Sequence, residues 1–329
     1  MAAAAGGTRA AIVGAGAIGG WLADALDRAG WRMSLVARGE TLRALRADGL
    51  RVERADGMRV SHPQAGSPVD CGEQDYVFLA VKAHQLPELA AGLSALLGPS
   101  TVVVSATNGI PWWFFQDFAG PLDNELLRSV DPDGAQARHF PRGRILGSVV
   151  HASSRVRSPG HIEVVAADRI ILGEPGGDSS TRLTEVVHAL RRGGIEAVES
   201  NDIRRDVWAK LWGNMNMNPV SALTRAGTAE ILDDPEVRTL CIRMMEEMQE
   251  CGRVLGLSSP MTPAQRIAVT RRLGDFRTSM LADAESGRPL EVAPQLGAVV
   301  EIADRLGVAA PFCRAILGLT RLLDARCRP

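Results

Sequence analysis

One lysine and two asparagines recur at a spacing that places them on a single helix face. Segment 204–221 reads RRDVWAKLWGNMNMNPVS, so Lys210, Asn214 and Asn218 are each four residues apart. Because an α-helix turns by about 100° per residue, steps of four drift by only about 40° and stay on one side. A lysine ammonium there can donate a proton to a carbonyl oxygen as negative charge develops on it. The two amides can orient a hydroxyl or a carboxylate without adding charge.

The choice of lysine itself supports a chemical role. Lys82 and Lys210 are the only lysines among 37 Lys and Arg residues. An ammonium can release its proton, whereas a guanidinium stays charged, so lysine is expected where arginine cannot substitute. The helix that carries Lys210 is predicted over 202–218, with Pro219 ending or kinking it. Codon bias and a solvated helix face are the structural alternatives.

A glycine-rich loop follows the first predicted strand and opens a helix. The strand is predicted at 9–14 and the helix at 17–29, and the loop at 14–19 has the pattern G-x-G-x-x-G. In such a loop the glycines permit a tight turn, close approach of a pyrophosphate and close helix packing, while the helix N-terminus attracts the phosphate charge. A turn in a flavodoxin-like fold is the alternative. The residues predicted to hold the cofactor are Gly14, Ala15, Gly16, Ala17, Ile18 and Gly19.

The residue after the second strand bears on which dinucleotide binds. A site for NAD usually ends this strand with Asp or Glu, which binds the ribose 2′-hydroxyl. Here the strand ends in Val36-Ala37-Arg38. Because the planar fork of Arg38 suits a 2′-phosphate, the sequence favours NADP(H). A surface arginine in an arginine-rich chain is the alternative.

Apolar runs and helical spacing predict an α/β fold in the first half of the chain. Strands at 33–37, 76–81 and 101–105, an extended segment at 50–53 and helix-like stretches at 42–47 and 85–97 alternate, which is typical of a parallel sheet covered on both faces. Shorter extended pieces follow from residue 145, with one helix at 181–192. Beyond about residue 201 only helices are predicted, at 202–218, 235–255, 263–276, 289–306 and 311–325.

The predicted architecture is an N-terminal Rossmann-type parallel sheet domain over 1–200, followed by an all-helical C-terminal domain over 201–329. Segment 111–143 contains four adjacent aromatic residues, Trp112 to Phe115, and many turn formers. We interpret it as an insertion or a lid in the first domain. The apolar pattern of the C-terminal helices fits both a core and a homodimer interface.

Composition excludes several classes of protein. The chain has 329 residues, 46% of them hydrophobic, and a net charge of −1, so bulk attraction to nucleic acid or an anionic membrane is not expected. Its start lacks the basic and apolar regions of a signal peptide. The five cysteines form no CxxC pair and the six histidines no HxxxH, which argues against a metal site and a disulfide scaffold. We therefore expect a cytoplasmic protein that binds no metal.

Taken together, five motifs resemble those of the ketopantoate reductases (2-dehydropantoate 2-reductases), over nearly the whole chain. They are the glycine loop, Val81-Lys82, Asn108-Gly109, W-x-K-L-x-x-N-x-x-x-N-P at 208–219, and S-M-L-x-D…G-R-x-x-E at 279–291. The resemblance implies NADPH-dependent reduction of a 2-oxo acid to a 2-hydroxy acid, with 2-dehydropantoate to (R)-pantoate, a step of pantothenate biosynthesis, as the best single prediction.

The resemblance also implies roles for individual residues. Lys210 would be the general acid, and Asn108 would lie between nicotinamide and substrate, as a catalytic and cofactor-binding residue. Lys82 and Glu291 would contact the cofactor. The residues implied to hold the substrate's hydroxyl and carboxylate are Asn214, Asn218 and Ser279.

Three departures from the family pattern bear on the substrate. Ala293 stands where relatives often have aspartate, Thr228 stands where they often have asparagine, and segment 111–143 is longer and more aromatic. Two other functions stay open: an NADP-dependent hydroxyacid dehydrogenase of the 6-phosphogluconate type acting on another small carbonyl compound, and an NADP-binding sensor without turnover.

Overall fold

The structure is a computed structural model that describes residues 7–327, without the side chains of residues 166–168. The first six residues, where a signal peptide is not expected, lie outside the described residues. Within the described part, the chain forms two compact units. One comprises Met1–Thr107 and Gly134–Asp206 and contains the sheet; the other comprises Asn108–Asp133 and Val207–Pro329 and contains the long helices.

The first unit is built on one mixed sheet. Its strands are β1 (Arg9–Val13), β2 (Arg32–Val36), β3 (Leu50–Arg54), β4 (Gly57–Ser61), β5 (Gln64–Gly66), β6 (Gln74–Leu79), β7 (Leu97–Ser105), β8 (Ile145–Ser158), β9 (His161–Gly173) and β10 (Glu196–Glu199). The order is β4-β3-β9-β8-β7-β6-β1-β2-β5, and β10 pairs with β9. The pairs β3–β4 and β8–β9 are antiparallel and the other described pairs are parallel. A predominantly parallel Rossmann-type sheet is thus confirmed.

The helices predicted at 17–29, 42–47 and 181–192 are confirmed, whereas the stretch predicted at 85–97 is one short α-helix flanked by 3₁₀ turns, and two short helices were not predicted. The helices of this unit are α1 (Ala17–Arg28), α2 (Gly39–Asp48), α3 (Pro68–Cys71), α4 (Leu86–Leu89), α5 (Ala135–His139) and α6 (Thr181–Arg192), with 3₁₀ turns at Ala83–Gln85, Ala90–Leu96 and Arg142–Arg144. Helix α1 packs against β1, β2, β3, β8 and β9 and against α6. Its apolar face, including Trp21, Leu22 and Leu26, is fully buried. Helix α1 begins directly after the short loop that follows β1.

The second unit is helical throughout its described part. It contains most of α7 (Ile203–Thr224), together with α8 (Thr228–Asp233), α9 (Pro235–Leu255), α10 (Pro263–Arg272), α11 (Ser279–Glu285), a π-helical turn (Ala293–Gly297), α12 (Ala298–Leu306) and α13 (Pro311–Cys327). Helix α9 is central and contacts α8, α10, α12 and α13. The helix predicted over 202–218 does not end at Pro219, because α7 continues to Thr224.

The aromatic segment belongs to the helical unit. Residues 108–133 cluster with the helices rather than with the sheet, whereas the sequence predicts 111–143 as part of the first domain. Trp112 to Phe115 are each at most 4% exposed, and the ring of Phe114 lies 6.2 Å from that of Trp208 on α7. Glu301 of α12 accepts hydrogen bonds of 2.8 Å from the backbone amides of Arg128 and Ser129. These four aromatic side chains are therefore core of the helical unit, not the exposed surface of a lid.

Within residues 7–327, no helix combines the length and the hydrophobicity that a membrane crossing needs. The same residues contain no cluster of three or more His, Cys, Asp or Glu side chains that could hold a metal ion.

Candidate active site

The three glycines of the loop lie in different surroundings. Gly14, directly after β1, has φ +100°, and a Cβ there would lie 2.6 Å from Cγ1 of Val81. Gly16 is the N-cap of α1, and a Cβ there would meet nothing within 4 Å. At Gly19 a Cβ would lie 1.9 Å from the carbonyl oxygen of Gly14. The backbone therefore turns tightly at Gly14, faces open space at Gly16 and packs closely at Gly19.

Three adjacent parallel strands end at this loop. The order β6-β1-β2 brings Lys82, which follows β6, the glycine loop after β1, and Arg38, which follows β2, to one edge of the sheet. Arg38 is exposed at the N-cap of α2 and has no ion-pair partner among the described residues. Lys82 is half-buried. The first turn of α1 holds no acidic residue and no side-chain cap. This edge is positively charged and open, which fits a dinucleotide with several phosphates.

In the helical unit, the ammonium of Lys210 is held by the side chain of Asn108. Lys210 Nζ donates a hydrogen bond of 2.7 Å to Asn108 Oδ1. The lysine is half-buried on α7. Burial lowers its pKa to about 8, and the negative charge of Glu291 opposes this shift. The result is a fixed ammonium whose pKa lies close to physiological pH, as general acid catalysis requires.

The backbone at Gly109 fixes the position of Asn108. Gly109 has φ +86°, and a Cβ there would lie 2.3 Å from the carbonyl oxygen of Pro294. The next amide, that of Ile110, donates a hydrogen bond of 2.8 Å to the same oxygen. Only glycine can adopt this conformation at such a close approach. The segment that carries Pro294 therefore holds Asn108 in place.

A second contact ties the same segment to α7. Asn218 Nδ2 donates a hydrogen bond of 2.8 Å to Gln295 Oε1, and both residues are at most 5% exposed. Among the described residues no group donates to Asn218 Oδ1, so this oxygen stays available as an acceptor. Asn214, between Lys210 and Asn218 on the helix face, is half-buried. Sequence reasoning missed Gln295, although an amide amid apolar residues four positions after Glu291 was a signal.

Glu291 and Ser279, two further predicted site residues, differ in burial. Glu291 is buried, at 4% exposure, and acts electrostatically on Lys210. Ser279 is exposed in the first turn of α11, and Thr278 caps that helix by accepting from the amide of Leu281. No hydrogen bond joins Ser279 to Lys210 in the described part of the chain.

Comparison with known proteins decides the family. The family model "Ketopantoate reductase PanE/ApbA" matches residues 10–177, and "Ketopantoate reductase PanE/ApbA C terminal" matches residues 202–324. A 2-dehydropantoate 2-reductase from Mesorhizobium japonicum is 41% identical over 95% of this chain and 96% of its own. The chain belongs to the ketopantoate reductase family.

Solved structures of ketopantoate reductases agree in fold. A protein from Ralstonia solanacearum that is classed with the ketopantoate reductases is 45% identical, with a TM-score of 0.93, over 97% of this chain and 98% of its own. The 2-dehydropantoate 2-reductase from Methylococcus capsulatus is 25% identical, with a TM-score of 0.82, over 98% of both chains. Membership of this ketopantoate reductase family makes the chain an oxidoreductase that uses a nicotinamide cofactor.

One of the departures from the ketopantoate reductase pattern has a structural explanation. Thr228 is 1% exposed, and its hydroxyl accepts a hydrogen bond of 3.1 Å from the amide of Phe276. The backbone amide of Thr228 donates in turn to the carbonyl of Phe276 at 3.1 Å. Thr228 therefore joins the start of α8 to the loop before α11. Ala293 begins the π-helical turn that contains Pro294 and Gln295.

Proposed function

We propose that this protein reduces a 2-oxo acid to the corresponding 2-hydroxy acid with NADPH, and that its substrate is 2-dehydropantoate, which gives (R)-pantoate. The observation that carries the proposal is the Lys210 ammonium, which is held by Asn108 and has its pKa lowered to about 8. A sensor that only bound the cofactor would have no need for a half-buried proton donor of this kind.

Lys210 acts as the general acid in this proposal. When bound, reduced nicotinamide supplies a hydride to the carbonyl carbon. Lys210 stabilises the negative charge that develops on the carbonyl oxygen and then donates a proton to it, and afterwards recovers a proton from solvent. Asn108 accepts one hydrogen bond from the ammonium, which has three N–H donors in all. The charge of Glu291 keeps the lysine protonated in its buried setting.

The neutral polar groups orient the substrate. Asn218 Oδ1 can accept a hydrogen bond from a substrate hydroxyl, because Gln295 already occupies the amide nitrogen. Asn214 lies one helical turn after Lys210, so its side-chain amide can bind the same substrate molecule. Ser279 is proposed to contact the substrate from the start of α11. This assignment follows the family motif.

The cofactor is proposed to bind at the sheet edge of the first unit. The glycine loop, which includes Ala15, Ala17 and Ile18, would hold the pyrophosphate against the N-terminus of α1. Arg38 would bind the 2′-phosphate of NADP(H). Lys82 and, by family motif, Glu291 would contact other parts of the cofactor, and Asn108 would reach the nicotinamide.

The compartment and the oligomeric state of the enzyme are also proposals. The five cysteines are all free and buried, which supports a reducing compartment and hence the cytoplasm. A homodimer stays a prediction, which size-exclusion chromatography with light scattering tests.

The proposal is tested by following NADPH absorbance with the purified protein and a panel of 2-oxo acids. We expect 2-dehydropantoate to have the highest kcat/KM. Faster reduction of a different carbonyl compound would replace the substrate but keep the enzyme class. NADPH binding without oxidation by any compound of the panel would contradict the proposal and favour a sensor.

A further inference from the structure

The guanidinium of Arg266 on α10 has an unusual environment. Its Nη1 donates a hydrogen bond of 2.8 Å to Thr270 Oγ1, one turn further along the same helix. No carboxylate among the described residues pairs with it, and burial lowers the pKa of the guanidinium. Arg266 is half-buried, and partial withdrawal of a cation from water without a counter-ion has a free-energy cost. The chain elsewhere pairs many of its arginines with Asp or Glu, for example Arg182 with Glu174 at 2.6 Å.

The guanidinium lies directly against α7 at Gly213. A Cβ at Gly213 would lie 2.4 Å from Nη2 of Arg266 and 3.1 Å from its Cζ. The guanidinium therefore occupies the space that any larger side chain at this position would need. A Cβ at Gly213 would require the end of the Arg266 side chain to shift.

Gly213 adjoins the proposed catalytic face. At about 100° per residue, Lys210 is displaced from Gly213 by about 60° around α7, and Asn214 by about 100°. Residues three apart are neighbours on a helix surface. The guanidinium of Arg266 thus flanks this face on one side, and Gln295, bound to Asn218, flanks it on the other.

We propose that Arg266 binds the carboxylate of the substrate. This inference rests on the proposed function, in which the substrate is a 2-oxo acid. The other groups assigned to substrate binding, Asn214, Asn218 and Ser279, are all neutral, and Lys210 is needed at the carbonyl oxygen. A guanidinium can hold a carboxylate through two parallel hydrogen bonds. Because that carboxylate is bonded directly to the carbonyl carbon, holding it at Arg266 directs the carbonyl oxygen toward Lys210.

The experiment compares a charged substrate with an uncharged one. Ketopantoate and its lactone contain the same reacting carbonyl group, but the lactone has neither the carboxylate nor the free hydroxyl. The missing hydroxyl affects wild type and variant alike, so it cancels when their ratios are compared. We expect Arg266→Gln to lower the ratio of kcat/KM for the acid to that for the lactone by about 10- to 100-fold, mainly through KM for the acid, since a charge-assisted hydrogen bond is lost. Arg266→Lys should restore part of the ratio. The control is Arg272→Gln on the same helix, an exposed arginine that should behave as wild type.

A second variant displaces the guanidinium without removing it. In Gly213→Ala the new Cβ collides with Nη2 of Arg266, so the ratio should fall although the charge is retained. Thermal unfolding measures the stability of each variant. Equal losses with acid and lactone in both variants would overturn the proposal and leave Arg266 as a packing residue.

Binding gives a readout that does not depend on turnover. Calorimetric titration with pantoate should show a dissociation constant about 10- to 100-fold higher for Arg266→Gln than for wild type. If wild type reduces no 2-oxo acid but binds pantoate through Arg266, the proposed function fails and the carboxylate site stands. If wild type reduces ketopantoate and the variants retain its ratio and its pantoate affinity, the carboxylate site fails and the proposed function stands. If wild type does not bind pantoate, the carboxylate site is also contradicted.

Discussion

The pH dependence of reduction should follow the charge of Lys210, and Glu291 should set its position. The pKa of Lys210 is about 8, and the charge of Glu291 raises it against the effect of burial. A general acid must be protonated, so kcat should fall as pH rises through about 8. Glu291→Gln keeps the size of the side chain and removes the charge, which should move this fall to lower pH.

The charge of Glu291 sets the size of the shift in the pKa of Lys210. An opposite charge nearby shifts a pKa by about 1 unit or more, which corresponds to about 1.4 kcal/mol. With the pKa of Lys210 lowered from about 8 to about 7, the protonated fraction at pH 8 falls from about one half to about one tenth. The variant should therefore be about fivefold slower than wild type at pH 8. At pH 6 the lysine is about nine-tenths protonated or more in both proteins, so their rates should nearly agree.

The assay is single-turnover oxidation of NADPH at saturating cofactor and substrate from pH 6 to pH 10, which separates the hydride step from product release. Glu236→Gln, an exposed glutamate at the start of α9, is the matched control. A pH profile of Glu291→Gln that coincides with that of wild type would refute the electrostatic role of Glu291. A uniformly lower rate without a shift would assign Glu291 to positioning of the bound cofactor alone.

Three further predictions test the rest of the site. Arg38→Asp should weaken NADPH relative to NADH, and an unchanged ratio of the two dissociation constants would show that Arg38 does not read the 2′-phosphate. Gln295→Leu should raise KM for ketopantoate about 10-fold, as Asn218→Ala should, because Asn218 loses its orienting partner; Gln295→Glu, which still accepts from Asn218, should stay closer to wild type. Gly109→Ala should lower kcat by about 10-fold or more, since the new Cβ collides with the carbonyl of Pro294 and displaces Asn108; wild-type kcat in a folded Gly109→Ala variant would contradict that account.

Elements with a strong local signal could be predicted from the sequence. The helices at Thr181–Arg192 and Pro235–Leu255 begin and end where the apolar period and the capping residues predict. The same holds for the strand-loop-helix unit around Gly14, because the glycine pattern has a local conformational cause. The four-residue spacing likewise predicted that Lys210 and Asn218 would share one face of α7.

Other features depend on contacts between distant parts of the chain. Asn218 and Gln295 are separated by 77 residues, and Lys210 and Asn108 by 102. No local pattern could have paired the former two, and family motifs alone suggested the latter pair. The sequence also did not predict that residues 108–133 pack with the helices. This segment has no helical or strand periodicity, so its position is determined by tertiary packing.

The central claim is that Lys210 donates the proton that completes reduction of the carbonyl group. Its most direct test is the single-turnover rate of NADPH oxidation by Lys210→Ala with ketopantoate, together with the NADPH dissociation constant measured by cofactor fluorescence. We predict a rate about 10²-fold or more below that of wild type, with NADPH affinity within about twofold. A near-normal rate in this variant would contradict the mechanism.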